Sequence, residues 1–260
     1  HNESYKCDSL STARFDVFDE LVNYESIFTK IGNASNIPAY EITPSYSDRR
    51  SNRTVNADSI DELLECIKML SEVPNEKFVF AYCDNPDSIL HKYGTSSEEA
   101  KNFLLDAENK ICNLCSSLDN DTLLIISADH GHKDIKNVHS LLDYPQIQEC
   151  LIMPPSIESR SVTFWVKEDM KNIFEDKFNK FFGNDFWLMT KKEFLDKHFL
   201  GFGVKHSKID DFIGNYMALS TGSSIIPLET YLAEPKKIKK STHCGLSKEE
   251  MEVPLIVIKK

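Results

Sequence analysis

The sequence has no excess of positive charge and no hydrophobic segment long enough to cross a membrane. Its 30 Lys and Arg residues are outnumbered by 41 Asp and Glu residues, which gives a net charge of −11. A protein-wide positive field that would attract nucleic acid or anionic lipid is therefore excluded. The longest apolar runs, at 123–126 and 253–258, are far shorter than the roughly 20 residues that span a bilayer. Neither a nucleic-acid-binding patch nor a membrane partner is expected.

Cysteine is scarce, and the first residues lack the marks of a translation start or a leader. Seven cysteines in 260 residues are an odd number, spread too thinly for a disulfide scaffold, so reduced thiols are expected. The sequence opens on His1 rather than Met and shows no basic-then-apolar secretory pattern. We therefore expect a cytoplasmic chain that is part of a longer protein. The sequence carries no indication of an oligomeric state.

The composition and the order of the apolar segments favour an α/β fold. Hydrophobic residues make up 41% and charged residues 27% of the chain, which is typical of globular proteins. A strand at 77–82, a helix at 97–118 and a continuous apolar run at 122–127 predict a strand–helix–strand unit. Its two strands are expected to be adjacent and parallel, with the second one buried. The predicted fold is a parallel-rich sheet sandwiched by helices.

The pattern of the sequence changes near residue 150. A Pro-Pro pair at 154–155 is followed by a strand, an amphipathic helix over 170–182, a second strand and another helix. This order predicts a small αβ subdomain over 150–200. It would be inserted into a main domain formed by 1–149 and 201–260.

Potential metal ligands follow the predicted strands. Asp87 and His91 come after the first strand of the unit, and their spacing of four puts a carboxylate and an imidazole on one helical face. Asp129 and His130 follow the second strand, and the glycine after them lets a bound ion approach the backbone. His243 precedes the last predicted strand. Ligands at the strand ends of one sheet can hold a pair of divalent cations.

Three motifs occur in a characteristic order along the chain. They are Tyr-x-x-x-Pro-Asp87-x-x-x-His91-x-x-Gly94, then Ala-Asp129-His130-Gly131, then His243-x-Gly245-Leu246 followed by Glu252-Val-Pro-Leu. This combination resembles the alkaline phosphatase superfamily, and within it the type I phosphodiesterase and nucleotide pyrophosphatase branch. The resemblance runs from about residue 20 to the last residue. It implies an alkaline phosphatase-like fold and a metal-dependent hydrolase acting on a small phosphoester.

The resemblance also implies roles for the motif residues. In the family, one zinc ion is bound by the residues that match Asp87, His91 and His243. A second ion is bound by those that match Asp129 and His130, together with an upstream Asp and a Thr or Ser nucleophile. Residues 1–40 contain no motif for that Asp or for the nucleophile, so the nucleophile is expected to lie outside this chain. Two divalent cations, zinc or in some relatives manganese, would supply the local positive charge.

In such enzymes an activated hydroxyl attacks phosphorus, and the covalent phospho-enzyme is then hydrolysed. Ser9, Ser11 and Thr12 are the early hydroxyls of this chain, and none of them stands in a nucleophile motif. The isolated chain is therefore expected to be inactive. The alternatives are a phosphomutase or a phosphonoacetate hydrolase-like member of the same superfamily, and a non-catalytic fragment that keeps the fold.

Overall fold

The computed structural model describes residues 24–47, 51–228 and 238–260. Its α-helices, numbered in chain order, are α1 (Ile27–Ser35), α2 (Ile60–Ser71), α3 (Asp87–Tyr93), α4 (Glu98–Ser117), α5 (Pro145–Gln148), α6 (Lys171–Phe182), α7 (Lys191–Asp196), α8 (Ile209–Phe212) and α9 (Lys248–Met251). Its strands are β1 (Ala39–Thr43), β2 (Thr54–Asn56), β3 (Phe78–Ala81), β4 (Leu123–Ser127), β5 (Lys133–Asp134), β6 (Asn137–Val138), β7 (Ser156–Glu158), β8 (Ser161–Phe164), β9 (Phe186–Thr190), β10 (Tyr216–Ser220), β11 (Ser224–Ile225), β12 (Ser241–Thr242) and β13 (Leu255–Lys259). The chain is an α/β protein, as its sequence predicts.

The described residues form two compact units. The first comprises those up to Ile89, together with Ser96–Ser127 and Leu255–Lys260. The second comprises Leu90–Thr95 and the described residues of Ala128–Pro254. The segment 150–200 lies within the second unit, where its strands share a sheet with β10. That this segment is a separate subdomain stays a prediction.

The first unit contains a parallel sheet in the order β2–β1–β3. The side chain of Ile42, in the central strand, is fully buried and packs with Leu63 and Cys66 of helix α2. Helix α2 begins where Ser59 accepts a hydrogen bond from the amide of Glu62, which is an N-cap interaction. Apolar residues on one face of α2 therefore cover the sheet and close the core of this unit.

The position of β4 differs from the prediction. β3 pairs in parallel with β1, whereas β4 pairs antiparallel with β13, with Leu255 opposite Ser127. β3 and β4 thus lie in different sheets, so their predicted adjacency is wrong. Leu123 and Ile125 are 59% and 57% exposed, so β4 is not the buried parallel strand that its apolar run predicts.

The second unit is built on an antiparallel sheet in the order β7–β8–β10–β9. Helix α6 places Phe174, Phe178 and Phe182 at intervals of four, and all three side chains are fully buried. They pack with Phe164 and Phe186 of the sheet, so aromatic contacts dominate this core.

Along the described residues, no helix is both long and apolar enough to span a membrane.

Candidate metal centre

Helix α3 carries the first two predicted ligands. Asp87 begins the helix and His91 stands one turn later, so the helix itself sets their spacing. The carbonyl oxygen of His91 accepts a hydrogen bond of 2.8 Å from the amide of Lys240, and its ring Nδ1 lies 2.7 Å from the carbonyl oxygen of Ser241. Because a carbonyl only accepts, Nδ1 of His91 must carry the proton. Its Nε2 is therefore the nitrogen with a lone pair.

A two-residue ladder brings two further histidines together. β5 and β12 pair antiparallel, with Thr242 opposite Lys133. His132 directly precedes β5 and His243 directly follows β12, so the register of the ladder places them side by side. The centroids of their rings are 5.3 Å apart, and both rings lie within 5.2 Å of the ring of His91.

These residues form a group that one metal ion could join. Asp87, His91, His132 and His243 each offer a ligand atom, and these atoms all lie within 4.8 Å of one another. Zinc binds nitrogen and oxygen ligands at about 2.0–2.2 Å, so small side-chain adjustments would allow shared coordination. Sequence reasoning missed His132, although the repeated histidine of Asp129-His130-Gly131-His132 was a signal for it.

Gly131 is held where no side chain fits. Its amide donates a hydrogen bond of 2.9 Å to the carbonyl oxygen of Glu250, and a Cβ at this position would lie 2.0 Å from the carbonyl oxygen of Glu249. Glycine is therefore required here. The contact ties the loop that carries His130 and His132 to helix α9.

A buried ion pair fixes the loop after His243. Arg160 is fully buried, and its Nε and Nη2 donate hydrogen bonds of 2.6 Å to the two carboxylate oxygens of Glu250, which is 3% exposed. The same carboxylate accepts hydrogen bonds from the amide of Gly245 and from the amide and hydroxyl of Ser247. Glu250 thus anchors both loops that supply histidines to the group.

We expect the protein to lose stability in acid, because the carboxylate of Glu250 becomes protonated. Burial by itself would raise the pKa of Glu250, but hydrogen bonds from Arg160 and Ser247 outweigh it and hold the pKa below its usual 4.5. The carboxylate therefore stabilises the fold above that pH, and the contribution is lost as the pH falls through the lower folded-state value. Urea unfolding at pH 7 and pH 3 should show a larger loss for the wild type than for Glu250→Gln. Equal losses of stability in the two proteins would contradict this role of Glu250.

The other predicted ligands, Asp129 and His130, lie outside the group of four. Nε2 of His130 is 3.7 Å from a carboxylate oxygen of Asp129, and Nδ1 of His130 donates to the carbonyl oxygen of Gly131 at 2.9 Å. The ring of His130 stacks on that of His243, with centroids 3.8 Å apart. The pair is therefore next to the group and turned so that Nε2 faces the carboxylate.

Cys244 stands directly after His243 in the sequence. Desolvation raises the pKa of the Cys244 thiol to about 11, with smaller contributions from Glu158 and Glu250, so without a bound metal this neighbour of His243 is a thiol at neutral pH. The early hydroxyls Ser9, Ser11 and Thr12 lie outside the described residues.

The α/β fold and the His and Asp group agree with the resemblance of the motifs to the alkaline phosphatase superfamily. The family model "Type I phosphodiesterase / nucleotide pyrophosphatase" matches residues 19–179. The chain belongs to the type I phosphodiesterase/nucleotide pyrophosphatase family, which confirms the resemblance seen in its motifs. The sequence has no significant match among curated proteins.

Solved structures of similar fold include ectonucleotide pyrophosphatase/phosphodiesterases and a phosphonoacetate hydrolase. Murine ectonucleotide pyrophosphatase/phosphodiesterase 5, as an inactive variant in complex with AMP, is 16% identical with a TM-score of 0.59; the match covers 84% of this chain and 59% of that one. For the human protein the identity is 13%, the TM-score 0.60 and the coverage 89% and 62%. Phosphonoacetate hydrolase from Sinorhizobium meliloti, in complex with phosphonoformate, is 16% identical with a TM-score of 0.62 and coverage of 89% and 67%. The chain thus spans about 60% of the length of the ectonucleotide pyrophosphatases.

Proposed function

We propose that the protein is a metal-dependent phosphoester hydrolase of the phosphodiesterase/nucleotide pyrophosphatase type, to which this chain contributes metal ligands but not the nucleophile. The observation that carries the proposal is the grouping of Asp87, His91 and His243 within one ion's reach, in a chain of that family. These three residues would hold one divalent cation, with zinc favoured and manganese as the alternative. Asp129 and His130 would contribute to a second.

The donor set fits a divalent cation. One carboxylate and imidazole nitrogens are ligands that zinc commonly takes, and the Nδ1 proton of His91, held by the carbonyl of Ser241, leaves Nε2 for a metal. When bound, such cations stabilise negative charge on a phosphoryl group. Because the chain has a net charge of −11, a phosphate ligand would depend on that local charge.

Metal-dependent binding of AMP tests the proposal. Isothermal titration calorimetry of the zinc-loaded protein is expected to show AMP binding that disappears when zinc is removed. AMP binding should also disappear in Asp87→Asn, because this variant lacks the carboxylate that would bind the first metal ion. His198→Asn is a matched control, because His198 is exposed and has a positive φ that asparagine tolerates.

The outcomes of the titration separate the candidate functions. Preference for phosphonoacetate over AMP would support the phosphonoacetate hydrolase-like alternative, for which a solved structure of similar fold is an observation in favour. If neither ligand shows zinc-dependent binding, the proposed function is wrong.

Lys239 is expected to weaken metal binding at the first site. Its Nζ lies 2.9 Å from Nε2 of His91, where the ammonium donates to the same lone pair that a metal would use. Removing one hydrogen bond of about 1 kcal/mol corresponds to roughly a fivefold gain, so Lys239→Met should bind zinc about fivefold more tightly. Lys240→Met removes a like charge from the next residue and is the matched control. Equal zinc affinities of the two variants would contradict the prediction.

A further inference from the structure

His132 has the burial and the hydrogen bonding of a metal ligand, although no motif assigns it this role. It is the buried member of the group of four, with 7% exposure. Its position between Gly131 and β5 is fixed on both sides, by the amide contact of Gly131 to Glu250 and by the ladder to β12. The ring is therefore held in place before any ion binds.

The hydrogen bonds of Ser241 define the tautomer of His132. The hydroxyl of Ser241 donates its proton to the carbonyl oxygen of Leu90 at 2.7 Å, so towards His132 it can only accept. Nδ1 of His132 lies 3.0 Å from that hydroxyl oxygen and must therefore be the protonated nitrogen. The lone pair of His132 is on Nε2, as it is in His91.

Ser241 thus orients two imidazoles at once. Its carbonyl oxygen accepts from Nδ1 of His91, and its hydroxyl accepts from Nδ1 of His132. Ligating histidines almost always donate their second ring nitrogen to such a partner, which fixes the ring and raises the basicity of the other nitrogen. The buried Ser241 supplies this contact to both rings.

We infer that His132 is a fourth protein ligand of the first metal ion, so that Asp87, His91, His132 and His243 form a set of one carboxylate and three imidazoles. The inference rests on the proposed function only in using the same metal site. Zinc sites with four protein ligands are closed, whereas catalytic sites usually keep one position open. A phosphate oxygen could then join this ion only as a fifth ligand.

The ring nitrogens of the wild-type protein report directly on this coordination. Long-range ¹H–¹⁵N spectra of the histidine rings, recorded with and without one equivalent of zinc, should show the Nε2 resonances of His91 and His132 and one ring-nitrogen resonance of His243 shifting to metal-bound positions. His132→Asn identifies the signals of His132, because asparagine can keep a donor to Ser241 but has no ε nitrogen.

Three outcomes of this experiment lead to different conclusions. Shifts at His91, His132 and His243 would establish the fourth ligand. Shifts at His91 and His243 without His132 would overturn it while leaving the proposed metal site intact. No shift at any of these rings would overturn both the inference and the first metal site of the proposed function.

Zinc affinity supplies a second readout. His132→Asn should weaken zinc binding at least about tenfold, since loss of a mere outer partner of a ligand already costs roughly 10–100-fold. Replacing zinc with Co²⁺ then distinguishes a residue that binds the metal from one that only orients a ligand. His132→Asn should alter the visible spectrum of bound Co²⁺, whereas Ser241→Ala should preserve its band positions. An affinity loss below tenfold, or a Co²⁺ spectrum unchanged in His132→Asn, would overturn the inference. Circular dichroism confirms that the variants fold.

Discussion

The zinc-loaded chain is expected to hydrolyse bis(4-nitrophenyl) phosphate no faster than a zinc solution without protein. Phosphoester cleavage by covalent catalysis needs a hydroxyl in line with phosphorus, and we expect that hydroxyl to lie outside this chain. Removing a nucleophile that works as a unit with its partners costs on the order of 10⁴–10⁶ in rate. Release of 4-nitrophenolate, followed with wild type and Asp87→Asn side by side, measures the effect.

Both proteins should stay at the background rate. Zinc-dependent turnover by the wild type that is lost in Asp87→Asn would contradict the prediction and would place a nucleophile within this chain. Ser9, Ser11 and Thr12 would then be replaced by alanine first. Metal-dependent AMP binding without turnover would agree with the proposal that this chain contributes metal ligands but not the nucleophile.

Arg160→Met is expected to destabilise the protein by about 3–5 kcal/mol, because it leaves the carboxylate of Glu250 buried without its cation. Methionine is similar in volume to arginine, so the loss reflects charge and hydrogen bonds more than volume. Urea unfolding at neutral pH measures the change. The double variant Arg160→Met/Glu250→Met should recover part of the loss, since it removes the unpaired charge.

Lys192→Met is the control for this experiment, because Lys192 pairs with Asp196 on the surface. Exposed pairs contribute little to stability, so this variant should unfold close to the wild type. If Arg160→Met also unfolds close to the wild type, the buried pair does not stabilise the loops of Gly131 and Gly245.

Local patterns in the sequence predicted the long helix α4. The helix expected over 97–118 is observed as Glu98–Ser117, with the hydroxyl of Ser97 accepting from the amide of Ala100. Apolar spacing and an N-cap residue are both short-range signals, so they can be read without knowledge of the fold. The same applies to the placement of Asp87 and His91 on one turn.

Strand pairing and the fourth histidine could not be predicted in the same way. The partner of β4 is β13, and nothing local to the run at 122–127 distinguishes an antiparallel partner far along the chain from a parallel one nearby. His132 joins the group through the register of β5 with β12, a ladder of only two residue pairs. Such short ladders have no periodicity to detect.

The pairing of β4 with β13 has a consequence for the synthesis of the protein. All of residues 128–254 must be made before Leu255–Lys259 can meet Leu123–Ser127. Until then the apolar β4 lacks this partner on the nascent chain, and transiently exposed strand edges favour association with other chains. Closing so long a loop is also a slow step, since non-local contacts form late. During translation, β4 is therefore an apolar segment whose edge a chaperone could protect.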